Sequence, residues 1–176
     1  DNLLFGYKKA DEIRRQFILT LWNVYSFFVT YANLNSWDQV NSKNILDEWI
    51  LARLNEVLKI TTESLEKYDA QTGALAIEKF VEDLSLWYIR RSRNRMTDEF
   101  FSTCYEVLAT LSKILAPFTP FIAEEMYKNL TSKESVHLES FPQATQFNQK
   151  LLNDMQKIRK VCELGHAARK NSNLKV

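Results

Sequence analysis

Four arginines, Arg90, Arg91, Arg93 and Arg95, fall within six positions of the stretch DLSLWYIRRSRNRMTDEFF (83–101), directly behind an apolar run. A guanidinium presents a planar fork of donors that fits carboxylate or phosphate bidentately and stacks on aromatic rings. With Trp87 and Tyr88 beside them, such residues suit phosphate binding and stacking on unpaired bases, the means by which single-stranded RNA loops are held. The same residues also suit internal ion pairs: helix C-termini favour cations, and Glu124 or Glu125 offers a carboxylate to Arg91 and Arg95. Packing four guanidiniums together requires several compensating anions, so internal pairing accounts for one or two of them more readily than for all four. Residue types alone leave both readings open.

Other chemistry finds little support. The two histidines, His137 and His166, sit in no nucleophile motif, and Gly6, Gly73 and Gly165 are isolated, so no glycine-rich loop exists to cradle phosphates. Glu134–His137 and Glu163–His166 both match the Glu-x-x-His pair of di-iron bundles, with Glu124 and Glu125 as further carboxylates. The first pair lies in a stretch without helical periodicity and the second contains a helix-weakening glycine, so no metal site is expected. Cys104 and Cys162 stand 58 positions apart without a CxxC spacing; two buried free thiols are expected rather than a zinc site or a disulfide.

The elements that must position these residues read as helices. A chain of 176 residues, 45% of them apolar, with only 3 glycines and 3 prolines, supports one ordinary domain with a core and little turn material. Apolar spacing predicts helices over about 8–33, 43–68, 73–95 and 97–116, a short one after Pro120, and a last one over about 145–171. In the first, Ile13, Phe17, Leu21, Val24, Phe28 and Tyr31 form one stripe and Ile18, Trp22, Tyr25 and Val29 a second flank, a pattern expected of a helix near the centre of a bundle. The second carries Leu46, Ile50, Leu54, Leu58 and Leu65 inside and Glu48, Glu56, Lys59, Glu63 and Glu66 outside. In the third, Ile77, Val81, Leu84 and Tyr88 face the core, Arg95 and Arg91 extend that stripe, and Arg90 and Arg93 point away beside a ridge of Asp83 and Trp87. Thr97 reads as an N-cap; Pro117 ends the fourth helix, and Thr119–Pro120 reads as an N-cap followed by proline at the first helical position. SVHLESFP (135–142) is expected to be an extended connector.

These patterns predict an all-α fold of five to six helices, with residues 1–142 as the bundle and 143–176 as a C-terminal helix leading toward further chain. The start shows neither an initiator methionine nor a signal-peptide pattern, and the chain reads as a piece cut from a longer, cytosolic protein, monomeric by itself. No apolar run is expected to reach the roughly 20 residues that cross a bilayer, because charged residues interrupt each candidate. The net charge of +1 is uninformative, but its distribution is polarised. Between Asn44 and Asp83 nine acids face four bases, whereas from Lys157 to Val176 six bases face the single Glu163.

Several stretches taken together resemble one family: TLWNVYSFFVTYANL (20–34), LDEWILARLNE (46–56), DLSLWYIRRSRNR (83–95), LAPFTPFIAEEMYKNL (115–130), SVHLESFP (135–142) and GHAARKNSNLKV (165–176). They resemble the α-helical anticodon-binding domain of the isoleucyl-tRNA synthetases, class Ia aminoacyl-tRNA synthetases, over essentially the whole chain and in the expected order. APFTPFIAEE has counterparts in the valyl, leucyl and methionyl relatives, whereas TLWNVYSFF with WYIRRSR points to the isoleucyl member. The resemblance implies a cytoplasmic ATP-dependent isoleucine–tRNA ligase of protein biosynthesis whose catalytic domain, with ATP and Mg, lies outside this sequence. No catalytic residue and no cofactor are then expected here, since GHAA (165–168) and TSKES (131–135) only superficially echo the HIGH-like and KMSKS-like motifs. The implied partners are the isoleucine-accepting tRNA, docked along its anticodon stem and loop, and the rest of the synthetase chain, with no membrane. Carried onto this sequence, the implied tRNA-binding residues are Arg90, Arg91, Arg93 and Arg95, with Asn94 for base edges and Trp87 as packing or stacking support. Lys157, Arg159, Lys160, Arg169 and Lys170 are implied as secondary phosphate contacts, and Trp22 and Asn23 are expected to hold the bundle together. The competing reading is a non-catalytic helical scaffold for protein partners, with the arginines paired internally.

Overall fold

The computed structural model describes residues 6–172. Six helices and no strand occur among the described residues: α1 (Tyr7–Leu34), α2 (Ile45–Glu66), α3 (70–92), α4 (Asp98–Leu115), α5 (Pro120–Thr131) and α6 (Gln149–Asn171). A single 3-10 turn, Val136–Leu138, lies between the last two.

Side-chain caps set most of the starts. Asn44, Asp69, Thr97 and Asn148 accept the backbone N–H of Leu46, Thr72, Phe100 and Leu151, each satisfying a donor that the first helical turn leaves unpaired. Because Asp69 caps it, α3 begins three residues before the predicted boundary and takes Gly73 into its first turn. A Cβ on Gly73 would lie 2.7 Å from Ser64 Oγ and 3.0 Å from Phe118 Cζ, so the missing side chain is what lets α2 and α3 approach there. Pro120 opens α5 as predicted, but Thr119 provides no side-chain cap; its Oγ1 is buried without a partner.

The centre of the bundle is α2 and not α1. Helix α2 buries Trp49, Ile50, Ala52, Leu54, Val57 and Leu58 together with Asp47, Thr61 and Ser64, and it packs against α3, α4 and α6. Helix α1 buries only Leu21, Val24, Tyr25 and Phe28, and nothing between Tyr7 and Ile18. Its second apolar flank is covered only in part: Tyr25 is buried and Val29 packs against the core, but Trp22 and Asn23 are exposed, so neither holds the bundle together, and Trp22 rests on Tyr25 of its own helix at 5.1 Å. The expectation about charge also fails here, since residues 16–37 carry none. By length and composition α1 could cross a bilayer, but its inward apolar side chains serve the bundle core.

Helix α4 contributes most to that core, with Phe100, Phe101, Cys104, Val107, Leu108, Leu111, Ile114 and Leu115 buried. Phe100 stacks on Tyr88 of α3 at 5.9 Å. Trp37, from the segment before α2, stacks on Phe101 at 5.9 Å, and Val40 N–H donates to Ser102 Oγ at 2.9 Å. Beyond α5, the connector is held by two carboxylates. Glu124 accepts from Ser135 Oγ and Val136 N–H at 3.0 and 2.8 Å, and Glu139 accepts from Lys113 and Lys133 at 2.8 and 3.0 Å. Cys104 is buried as expected, whereas Cys162 is only half-buried; both are free thiols.

Candidate nucleic-acid interface

The four arginines meet different fates, and two buried carboxylates decide which. Asp47, at the first turn of α2, is fully buried. It accepts from Tyr88 Oη at 2.7 Å, Ser42 Oγ at 2.5 Å and Arg95 Nη1 at 2.8 Å, and also bonds Arg95 Nη2. Desolvation alone would lower the Arg95 pKa, but the hydrogen bonds and charge of Asp47 outweigh it and hold the guanidinium above its ordinary value. Burial pushes the Tyr88 phenol far above its ordinary range, so it remains a donor. Arg95 is therefore paired inside the bundle, and its partner is Asp47 rather than Glu124 or Glu125. Glu124 holds the connector, and Glu125 takes Asn129.

The second carboxylate is Asp83, 3% exposed within α3. It accepts from Arg53 of α2, through Nε at 3.0 Å, and pairs with Arg159 Nη1 of α6 at 2.6 Å. Arg53 also bonds Glu56. Around this node α3 runs as a wide π-type turn, Asp83–Ile89, which displaces the residues beyond it from the phase of a regular α-helix. Ile89 and Ser92 are consequently buried, and Arg91 is exposed rather than continuing the apolar stripe. The Arg91 guanidinium lies 3.7 Å over the Trp87 ring, and that of Arg159 lies 5.4 Å from the same ring. Trp87 thus packs beneath guanidiniums and is not a free platform for a base; its Nε1–H is buried without an acceptor.

Helices α2, α3 and α6 together line an open groove of about 1490 Å³. Arg90 and Arg91 from α3 line it with Lys157, Arg159 and Lys160 from α6, together with the largely buried Arg53 and the exposed Lys79. Seven Lys and Arg side chains line the groove against the carboxylates of Glu56, Asp83 and Glu163. Sequence stretches some 67 residues apart are thereby assembled into one cationic surface. Among the described residues, Arg90, Arg91 and Arg93 lie within ion-pair distance of no carboxylate. Lys157 and Lys160 make exposed pairs with Asp154 and Glu163 at 3.5 and 3.0 Å, of a kind worth about 0–1 kcal/mol and readily exchanged. Arg93 and Asn94 are exposed on the turn after α3 and do not line the groove. Arg169 and Lys170 lie past it, in the last turn of α6.

Sequence reasoning missed Asp47, Asp83 and Arg53. The available signal was an acid falling in the phase of a buried stripe: Asp83 between Val81 and Leu84, and Asp47 beside Leu46 and Ile50. Among the described residues no group of three His, Cys, Asp or Glu side chains is arranged to hold a metal ion.

An all-α bundle with a groove lined by seven cations, of which Arg53 and Arg159 are held by the buried Asp83 while Arg90 and Arg91 have no carboxylate within ion-pair distance among the described residues, has the character of a polyanion-binding helical module. The chain belongs, more particularly, to the family described as the anticodon-binding domain of tRNA ligase, whose profile matches residues 47–176. Similar proteins include the isoleucine–tRNA ligases of Deinococcus radiodurans (44% identical, covering 99% of this chain and 18% of that protein) and Thermus thermophilus (42%, 97% and 18%). That of Dehalococcoides mccartyi is 42% identical over 98% of this chain and 19% of its own length. The chain thus spans about a fifth of the length of the curated relatives it matches.

Proposed function

We propose that this chain is the module through which an isoleucine–tRNA ligase holds the anticodon stem and loop of its tRNA. The observation that carries the reading is the groove in which Arg90 and Arg91 face Lys157 and Lys160. Phosphate groups are the ligands that such a set recognises, and each neutralised phosphate contributes about −0.7 to −0.9 to the salt slope of log K. Arg90, Arg91, Arg93, Lys157 and Lys160 are the phosphate contacts in this reading, with Arg169 and Lys170 extending the track. Asn94, on the exposed turn beside Arg93, is the candidate for a base edge. Trp87 supports Arg91 from below, and Arg95 acts indirectly by fixing the turn that carries Arg93 and Asn94. The intact protein would ligate isoleucine to tRNA with ATP and Mg in a separate catalytic domain, in the cytoplasm and without membrane attachment. Residues 143–176 would lead toward its further chain, and the module would carry no oligomer contact of its own.

Binding of an anticodon stem-loop RNA, titrated at several salt concentrations, tests the proposal. The chain should bind with Kd of about 10⁻⁴–10⁻⁶ M. Replacing Arg90, Arg91 and Arg93 by alanine together should lower the salt slope by roughly two while leaving thermal stability nearly intact. No binding at low salt, or an unchanged slope in the folded triple variant, refutes it.

A further inference from the structure

Asp83 is an acid placed among cations that are proposed to attract a polyanion, so its own charge opposes binding. We propose that Asp83 is nevertheless a positioning residue for RNA: by holding Arg159 it sets the basic face of α6 across the groove from Arg90 and Arg91. This inference rests on the tRNA-binding reading above. Its geometric basis is independent of that reading and has three parts.

First, Asp83 joins three helices at one carboxylate, with Arg53 of α2 on Oδ2 at 3.0 Å and Arg159 of α6 on Oδ1 at 2.6 Å. Second, the buried residues of α6 lie in its first half. Leu152 and Met155 are its buried residues, and Asn55 accepts the N–H and Oγ1 of Thr145 just before it, both at 2.9 Å. Beyond Arg159 no described residue of α6 is buried, and Val161 and Leu164 are 69% and 57% exposed. Arg159 thus fastens α6 to α3 beyond Met155, the last buried residue of α6. Third, Lys157 and Lys160 flank Arg159 on the same helix, so the direction in which Arg159 is held also sets where those two ammonium groups sit. The indoles of Trp49 and Trp87, 5.8 and 5.4 Å from the Arg159 guanidinium, complete the socket.

Simple electrostatics and positioning give opposite signs for the same substitution. Asp83→Asn removes a negative charge from a cationic groove, which by charge alone strengthens RNA binding. If Asp83 positions α6, the substitution weakens binding instead, by about three- to tenfold at moderate salt, and lowers the salt slope by roughly 1.5 as Lys157 and Lys160 leave the track. The experiment compares wild type, Asp83→Asn, Arg159→Gln and the double variant in the intact chain. It reads anticodon stem-loop affinity against salt and hydrogen exchange along α6, well below each variant's melting temperature. Positioning through Arg159 predicts faster exchange over residues 157–171 in both single variants, with α2 and α3 unchanged, and a double variant no weaker than Arg159→Gln alone. Affinity that rises or stays level in folded Asp83→Asn overturns the proposal, as does an unaltered exchange pattern in α6. If Asp83→Asn proves too unstable, Arg159→Gln decides by hydrogen exchange along α6, since loss of its own charge weakens RNA binding on either view; unaltered exchange there overturns the proposal. Should wild type fail to bind RNA, the tRNA reading falls, while the exchange comparison still decides whether Asp83 fastens α6.

Discussion

Replacing Asp47 by alanine removes the acceptor of four hydrogen bonds at the junction of α2, α3 and the segment before α2. The loss can be apportioned from burial. Tyr88 is fully buried, so its hydroxyl loses the acceptor of its proton with no water to replace it, at about 1–3 kcal/mol. The side chain of Arg95 is 20% exposed, so its guanidinium partly recovers water, and the roughly 3–5 kcal/mol of a broken buried pair is reduced accordingly. Together these give about 3 kcal/mol, because one carboxylate serves both partners and the terms are not additive. For a chain of this size that corresponds to a fall in melting temperature of about 6–12 °C. Calorimetry or urea unfolding measures it directly. A cycle with Tyr88→Phe, Arg95→Met and the double variant should return a coupling of about 0.5–3 kcal/mol. A loss below about 1 kcal/mol for Asp47→Ala would show that the buried network does not hold the tip of α3, and the assignment of Arg95 to structure would fail with it.

Three further outcomes follow from contacts elsewhere. Gly73→Ala should destabilise by about 1–2 kcal/mol: overpacking against Ser64 and Phe118 costs about 1–3 kcal/mol, and exchanging glycine for alanine in a helix returns at most about 1; equilibrium unfolding reads the balance, and a stabilised variant would contradict it. Trp87→Ala should weaken RNA binding more than Trp87→Phe, because a phenyl ring still supports the Arg91 guanidinium, whereas equal losses would remove Trp87 as its support. Acid should release the connector after α5. The hydrogen bonds from Lys113 and Lys133 hold the Glu139 carboxyl down at about 2, and the backbone N–H of Val136 keeps Glu124 below its ordinary value. A depressed carboxyl contributes fully above its unfolded value near about 4.3 and loses that contribution as pH falls toward the folded one. Protection of the Val136 amide, taken relative to its intrinsic exchange rate, should therefore fall as pH drops below about 4.3, and Glu139→Gln should flatten part of that fall.

The helices, and one of their four side-chain caps, were legible because they depend on local signals. Thr97 caps α4 and Pro120 opens α5 through residues within one turn of their own position. The central helix was misjudged because apolar periodicity reports a face able to be buried, and it does not report whether another element arrives to cover it. Trp22 and Ile18 of α1 lie on a flank that is covered only around Tyr25 and Val29, while α2 gained its wide buried surface from three neighbours. The two deciding acids were obscured for a related reason. Asp47 finds Arg95 across 48 positions, and Asp83 finds Arg53 across 30; these distances are set by the α2–α3 hairpin rather than by any motif. The wide turn at Asp83–Ile89 then shifted the phase on which Arg91 had been placed.

Those two acids also explain how a chain of net charge +1 presents a strongly cationic surface. Opposite charges left side by side on the surface would cancel within a Debye length of about 8–10 Å. Here Asp47 and Asp83 are withdrawn into the protein, each saturated by donors from its own neighbours. Asp47 consumes one member of the arginine cluster completely. Asp83 consumes Arg53 and fixes Arg159, and in doing so brings the lysines of α6 to the rim. The carboxylates of α2 and α5 that remain at the surface are turned toward other sides or held in local pairs, as Glu63 is with Lys59 and Glu124 with the connector. What faces the groove is a residue of positive charge produced by pairing some arginines internally. Under the proposed function the internal and the RNA-facing readings of the cluster are complementary: Arg95 is paired inside with Asp47, Arg90, Arg91 and Arg93 are proposed to meet RNA, and the buried pairing of Arg95 would aim the turn that carries Arg93.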